Sequence, residues 1–180
     1  TPDNLKETVL KTLYEVTVNR FQGHLATGLV GIPVLTEWAV KNGQAEWMYQ
    51  MLKKRDYPGY LYMLDNGATT TWEHWNGERS HIHNCYNGIG AWFYQALAGI
   101  MPDESKPGYK HIWIKPQVVN DISWVQASKD TPYGLLKVRW EKKEASFVFP
   151  AKSVCVNGLP SQGKEVLELE SGSYRIECSR

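Results

Sequence analysis

Apolar residues recur at intervals of three and four along the first part of the chain. Such spacing places the apolar side chains on one face of a helix, with polar residues on the opposite face. Asn42–Gly43 and Met101–Pro102 are stop signals that end two of these stripes. The pattern predicts four helices, at about residues 4–20, 34–39, 44–55 and 85–100.

The segment between Asp56 and Asn84 interrupts this pattern. It shows no regular period and is rich in Gly, Asn, Thr, His and Trp. A long irregular segment inside a compact protein is uncommon and is usually functional. We therefore look for the functional site in this segment. Because helical domains normally close with short connections, we also expect these helices to be the C-terminal end of a longer helical domain.

The period changes to alternation from about Tyr109 onward. Alternating apolar and polar residues predict strands with one buried face, separated by turns that contain Gly or Asn. The strands are predicted around residues 112–114, 136–140, 147–149, 167–169 and 174–178, with a turn at Asn157–Gly158. The predicted fold class is α+β in sequence order, with helices at residues 1–105, a linker at 102–108 and a small antiparallel β-sandwich at 106–180.

The charge balance argues against two classes of partner. The 180 residues include 20 Lys and Arg against 19 Asp and Glu, which gives a formal net charge of +1. That balance provides no attraction to nucleic acid or to an anionic membrane. No apolar run approaches the roughly 20 residues that span a bilayer. We expect a secreted or periplasmic protein whose export signal has been removed or lies upstream.

The densest chemistry lies at Glu73, which is flanked by Trp72 and Trp75 within residues 67–75 (GATTTWEHW). A carboxylate among aromatic rings is partly desolvated, and such rings can stack on a sugar. This setting suits general acid or base chemistry. A structural hydrogen bond made by Glu73 within the loop is the alternative.

A second cluster consists of His81 and His83, with His74 and Cys85 nearby. Alternate residues of an extended segment face the same way, so a zinc site is conceivable. The spacing matches no standard zinc signature, and we expect no metal and no cofactor, with polar substrate binding or hydrogen bonding in their place. His24, in a loop between helices, is predicted to be a capping or hydrogen-bonding histidine when considered alone.

Four segments together resemble the bacterial α-L-rhamnosidase family of inverting glycoside hydrolases. They are residues 24–31 (HLATGLVG), residues 67–75 followed in the sequence by His83, residues 88–94 (GIGAWFY) and residues 97–100 (LAGI). The resemblance implies that the helices are the last part of an (α/α)6 catalytic barrel, followed by a small C-terminal β domain. Residues 81–82 and 85–87 depart from the family pattern.

The resemblance also implies roles for individual residues. Glu73 falls on the glutamate that acts as general base, and His83 on a histidine that contacts the bound rhamnose. Trp72 and Trp75 would form an apolar wall for the sugar, and His24 is a further candidate substrate-binding residue. The expected partners are a rhamnose-containing oligosaccharide or glycoside and the upstream part of the same polypeptide.

The general acid of this family lies upstream of the matched region, and we find no equivalent in this sequence. Inversion needs two carboxyl groups roughly 6.5–9.5 Å apart. We therefore expect the isolated chain to hydrolyse nothing. Two other hypotheses stay open: a carbohydrate-binding or scaffolding module without catalysis, and a metal site built from the histidine cluster.

Overall fold

The structure of the chain is a computed structural model. It describes residues 1–141, 144–149, 153–161, 164–169 and 172–177; for Cys85, and from residue 144 onward, it describes the backbone alone. In this part of the chain no helix combines the length and the apolar character needed to cross a membrane.

Helices form where the sequence period predicts them. The α-helices are α1 (Lys6–Glu15), α2 (Gly31–Lys41), α3 (Ala45–Leu52), α4 (Tyr60–Asp65) and α5 (Gly90–Trp92). A 3-10 turn (Asp3–Leu5) precedes α1 and a wider π turn (Val16–Arg20) follows it, while α5 lies between a 3-10 segment (Asn84–Ile89) and a π turn (Phe93–Leu97). Four of these helical regions coincide with the predicted ones.

Helix α2 shows why the apolar period is decisive. Its residues Ile32, Thr36, Ala39 and Val40 are buried, and they recur at the spacing of one helical face. The helix ends at Asn42–Gly43, where Gly43 has a φ of +67° and the chain can reverse without steric strain. Burial of the stripe, more than local propensity, therefore explains this helix.

Helix α4 was not predicted. It spans Tyr60–Asp65, inside the segment expected to be irregular throughout. The helix has six residues, too few for its apolar period to stand out, and it buries only Met63 fully. The rest of that segment, from Gly67 to His83, forms turns and bends.

The β part consists of two four-stranded sheets in the described residues. The strand order is β1-β2-β6-β7 in one sheet and β3-β4-β5-β8 in the other. The strands are β1 (Ile100–Pro102), β2 (His111–Ile114), β3 (Trp124–Thr131), β4 (Gly134–Glu141), β5 (Glu144–Phe149), β6 (Ser153–Ser161), β7 (Lys164–Leu169) and β8 (Gly172–Glu177). On β4 the alternating residues Leu136, Val138 and Trp140 are buried, as their period predicts.

Strand β3 was not predicted, and the pairing of the strands and one turn also differ from the prediction. Strands β2 and β6 are parallel, with His111 opposite Ser153. Parallel neighbours need a crossover connection, and β3, β4 and β5 in the other sheet provide it here. The turn expected at Asn157–Gly158 lies inside β6, where the register with β7 shifts between Asn157 and Ser161.

The chain divides into two compact units, which differ from the sequence domains considered above. One comprises Thr1–Thr36 and Trp47–Ile89, and the other Glu37–Glu46 and Gly90–Arg180. The domain boundary expected after residue 105 stays a prediction.

Within the second unit, the side chain of Gln117 clamps the turn between α2 and α3. Its amide nitrogen donates to the carbonyl oxygen of Val40 at 2.8 Å, and its amide oxygen accepts the N–H of Ala45 at 3.1 Å. Nearby, the backbone N–H of Asn120 donates to a carboxylate oxygen of Glu46 at 2.8 Å. A segment that follows β2 thus completes the hydrogen bonding of two helix ends.

Candidate active site

The loop from Thr71 to His83 is closed by hydrogen bonds between its two arms. The N–H of His83 donates to the carbonyl oxygen of Thr71 at 3.0 Å, and the N–H of Glu73 donates to that of Ser80 at 2.8 Å. These two bonds pair the entry and the exit of the loop. The backbone at Glu73 is therefore held by the loop itself, and its side chain starts from a defined position.

The carboxylate of Glu73 is surrounded by positive and hydrogen-donating groups. The N–H of Ser80 donates to Oε2 at 3.3 Å, and Nη1 of Arg79 lies 3.6 Å from Oε1. Nε2 of His74 lies 3.9 Å from the same oxygen. The Glu73 side chain is 23% exposed, so water still reaches it.

These neighbours hold the carboxyl group in its ionised form. The backbone N–H of Ser80 is the main cause that lowers the pKa of Glu73 below its ordinary value. Partial burial opposes this effect, and the positive charge of Arg79, together with His83 and His74 where these carry a proton, lowers the pKa further. At neutral pH an ionised Glu73 accepts a proton, so it is suited to act as a base.

Trp72 is built into the tip of the same loop. Its ring is 6% exposed and stacks on the ring of His81, with centroids 4.8 Å apart and planes 23° apart. Nε2 of His81 lies 2.7 Å from the carbonyl oxygen of Gly77. Gly77 itself has a φ of +81°, and a Cβ there would lie 3.0 Å from the Trp72 ring. The tip is therefore close-packed.

Trp75 anchors the loop to helix α4. Its ring is 9% exposed and lies edge-on to Tyr60, with centroids 5.1 Å apart, and 4.3 Å from the ring of Tyr86. The Tyr60 hydroxyl donates to the carbonyl oxygen of Tyr86 at 2.7 Å. Burial raises the pKa of this phenol, so it stays protonated and remains a donor. The helix that the sequence did not reveal thus positions one of the predicted site tryptophans.

His83 is positioned at the exit of the loop by Thr71. The Thr71 hydroxyl donates to the carbonyl oxygen of His83 at 2.5 Å and also lies 3.0 Å from Oδ1 of Asn87. His83 is half-buried, and a proton on its ring would lower the pKa of Glu73. The structure therefore brings two of the predicted site residues, Glu73 and His83, into one electrostatic environment.

His24 occupies a buried position in the same compact unit. Nδ1 lies 2.9 Å from the carbonyl oxygen of Pro58, and Nε2 lies 3.1 Å from Oδ2 of Asp56. The ring is only 5% exposed. His24 thus connects the loop after α1 to the segment before α4, as expected of a hydrogen-bonding histidine. Its role toward a substrate stays a prediction.

Sequence reasoning missed Arg79 and the backbone donor at Ser80. Arg79 adopts a φ of +63°, which no residue-type pattern announces. The N–H of Ser80 has no signature in a sequence, because every residue except proline carries one. The described residues contain no group of three or more His, Cys, Asp or Glu placed to hold a metal ion. The side chain of Cys85, part of the suggested zinc cluster, lies outside the description.

Two family models match the chain. The bacterial alpha-L-rhamnosidase 6 hairpin glycosidase domain matches residues 1–97, and the bacterial alpha-L-rhamnosidase C-terminal domain matches residues 99–171. These matches confirm the resemblance noted in the sequence. They also confirm the coarse architecture, a helical glycosidase part followed by a separate C-terminal domain.

Named relatives and solved structures agree with this assignment. An alpha-L-rhamnosidase of Alteromonas sp. (strain LOR) is 35% identical over 135 residues, which are 69% of this chain and 14% of the relative. One from Formosa agariphila is 31% identical over an alignment of 187 residues, 96% of this chain and 19% of the relative. The structure of alpha-L-rhamnosidase from Dictyoglumus thermophilum aligns with a TM-score of 0.91 at 27% identity, covering 100% of this chain and 24% of that one.

This chain therefore spans less than a quarter of the length of these relatives. The matched regions are the six-hairpin glycosidase domain and the C-terminal domain that follows it. The chain belongs to the bacterial alpha-L-rhamnosidase family and corresponds to its C-terminal part.

Proposed function

We propose that this chain is the C-terminal part of an inverting α-L-rhamnosidase that hydrolyses terminal α-L-rhamnosyl residues of glycosides or polysaccharides. In this proposal the helices are the last ones of an (α/α)6 catalytic barrel, and the two sheets form the β-sandwich domain that follows the barrel in the sequence. Membership of the family supports the proposal, as do the relatives, which are named alpha-L-rhamnosidases.

The observation that carries the mechanism is the environment of Glu73. A hydrogen bond from the Ser80 N–H and nearby positive charge lower the pKa of the Glu73 carboxyl, yet the group stays accessible to water. In an inverting hydrolase one carboxylate must be ionised to accept a proton from water. Glu73 is built for this role and not for the role of a proton donor.

The proposed reaction proceeds in one step. Glu73 takes a proton from a water molecule, and the oxygen of that water attacks the anomeric carbon of the rhamnosyl group. The bond from this carbon to the glycosidic oxygen breaks on the opposite face of the sugar. A carboxylic acid in the upstream part of the polypeptide protonates the leaving oxygen. The products are β-L-rhamnose and the free alcohol.

The other predicted site residues receive supporting roles in this proposal. His83 donates or accepts a hydrogen bond at a rhamnose hydroxyl. Trp72 and Trp75, which are packed but retain small exposed fractions, form a fixed apolar wall. His24 acts indirectly, because its contacts hold the segment before α4.

The proposal is tested with the longest natural polypeptide that contains this chain, assayed on an aryl α-L-rhamnoside. Replacing Glu73 by Ala should lower kcat by about 10²–10⁴-fold, the usual contribution of a general base. Added azide, which needs no base, should restore turnover and yield β-L-rhamnosyl azide. Glu78→Ala is the matched control, because Glu78 is an exposed glutamate of the same loop.

Two results would contradict the proposal. If Glu73→Ala retains turnover close to that of the parent, Glu73 is structural. A parent polypeptide that never cleaves rhamnosides would refute the substrate class. The isolated chain of 180 residues, which lacks the general acid, should show no turnover in the same assay.

A further inference from the structure

A pocket of about 390 Å³ lies within the second compact unit. Its lining residues all come after the loop that carries Glu73 in the sequence. It is formed where the last helical segment meets β1 and β3. Each of these strands is at the edge of its sheet in the described residues. The volume falls in the range of about 300–1,000 Å³ that is typical of small-molecule sites.

Strand β3 presents its edge to this pocket. Three consecutive residues, Ser128, Lys129 and Asp130, all line it. Successive side chains of a strand point to opposite faces, so a pocket that touches three in a row must lie along the strand edge. Edge strands carry unpaired backbone N–H and C=O groups. The three residues of β3 that line the pocket are therefore polar and belong to the edge of a sheet.

Two tyrosines contribute aromatic surface from the other walls. Tyr94, on the last helical segment, is 47% exposed, and Tyr109 lies in the connection between β1 and β2. The ammonium group of Lys129 lies 5.2 Å from the ring centroid of Tyr109. Buried Ile100 provides an apolar surface deeper in the pocket. The pocket is thus lined by aromatic rings, an apolar side chain and polar residues.

The chemistry of the lining selects one class of ligand. Lys129 and Asp130 are the only charged residues of the lining and have opposite signs, so the lining has no net formal charge that would favour an anion or a cation. The amide of Gln95 and the hydroxyl of Ser128 can each donate and accept hydrogen bonds. A pyranose offers both of the surfaces required, because its hydroxyls match the polar walls and its C–H face packs against an aromatic ring.

We propose that this pocket is a second saccharide-binding site, which takes a neutral pyranoside. The inference goes beyond the proposed hydrolysis, since none of the lining residues lies in the loop from Thr71 to His83. A site of this kind would hold a glycan chain on the enzyme and raise the effective concentration of its other sugars.

The test counts bound sugar on the longest natural polypeptide that contains this chain, with Glu73→Gln in every sample to prevent hydrolysis. Equilibrium dialysis with radiolabelled methyl α-L-rhamnopyranoside, across the millimolar range, gives the number of ligands per chain. Tyr94→Ala combined with Lys129→Ala removes one ring and one charge from the pocket. Ser128→Trp is a second variant, which places a large ring at an exposed position that lines the pocket.

The matched control is Tyr133→Ala combined with Lys137→Ala. These residues are an exposed tyrosine and an exposed lysine of the adjoining β3–β4 hairpin, and neither lines the pocket. We expect both pocket variants to bind one ligand fewer per chain than the parent, and the control to bind the same number. Unfolding temperatures of all samples identify any variant that has lost its fold.

The results separate this inference from the proposed function. If the number of bound ligands is the same in the parent and in both pocket variants, the second site is refuted. If the parent binds a single ligand, and this one is lost in the pocket variants, the second site stands while rhamnoside binding beside Glu73 does not. No binding in any sample overturns the inference.

Discussion

Replacing Thr71 by valine should weaken catalysis although Thr71 is not expected to touch the substrate. The hydroxyl of Thr71 donates to the carbonyl oxygen of His83 and lies beside Asn87. Valine has nearly the same shape as threonine, so the substitution removes this hydroxyl and little else. The backbone bond from the His83 N–H to the Thr71 carbonyl remains. His83 would therefore lose one of the two hydrogen bonds that tie it to Thr71.

The size of the expected effect follows from the loss of one hydrogen bond. A hydrogen bond between neutral groups contributes about 0.5–1.5 kcal/mol net. If all of this is lost from the transition state, kcat/KM falls by about 2- to 13-fold. A displacement of His83 by about 1 Å would raise the loss toward 100-fold.

The assay is hydrolysis of an aryl α-L-rhamnoside by the longest natural polypeptide. Thr71→Ser keeps the hydroxyl and should stay within twofold of the parent. Thr69→Val, at an exposed threonine of the same segment, controls for the loss of a hydroxyl elsewhere. Because Thr71 acts through His83, Thr71→Val should add nothing to the loss caused by His83→Ala. Additive losses, or an inactive Thr71→Ser, would refute this reasoning.

Two further predictions concern the same loop. Arg79→Ala removes positive charge that lowers the pKa of Glu73. Since the base must be ionised, activity is lost as the pH falls through this pKa, and the acid limb of the kcat/KM profile of the variant should lie at higher pH than that of the parent. An acid limb at the same pH in both proteins would contradict the role of Glu73 as the base. Gly77→Ala should lower the unfolding temperature more than Gly67→Ala. Both glycines have positive φ, but only at Gly77 does the new Cβ contact a ring, that of Trp72. Equal decreases in the unfolding temperature would show that this contact is unimportant.

The sequence predicted elements whose burial follows a clear period. Helix α2 and strand β4 were found because their apolar residues recur at 3.6 and 2 positions. Strand β3 was missed because its half-buried positions include Lys129 and Thr131, which are not apolar. The turn expected at Asn157–Gly158 was wrong because pairing with β7 accommodates this dipeptide through a shift in register.

The candidate site was predictable to the extent that residue types carry it. Glu73 and its flanking tryptophans were visible because a carboxylate between large rings is rare enough to notice. The features that lower the pKa of Glu73 were not visible, since the N–H of Ser80 is common to nearly all residues and the placement of Arg79 depends on a backbone angle. Contacts between the arms of a loop emerge only when the loop is folded.

The clamp made by Gln117 limits how this protein can be divided or recombined. A gene fragment that begins at residue 106 would encode all the strands from β2 onward but would lose Val40 and Ala45, the partners of the Gln117 amide. The amide would then have to find water or stay unsatisfied, at a cost of about 1–3 kcal/mol if it remains buried. A transplantable β module would need to carry residues 37–46 with it, and recombination between genes should be better tolerated outside the pair of segments that this side chain joins.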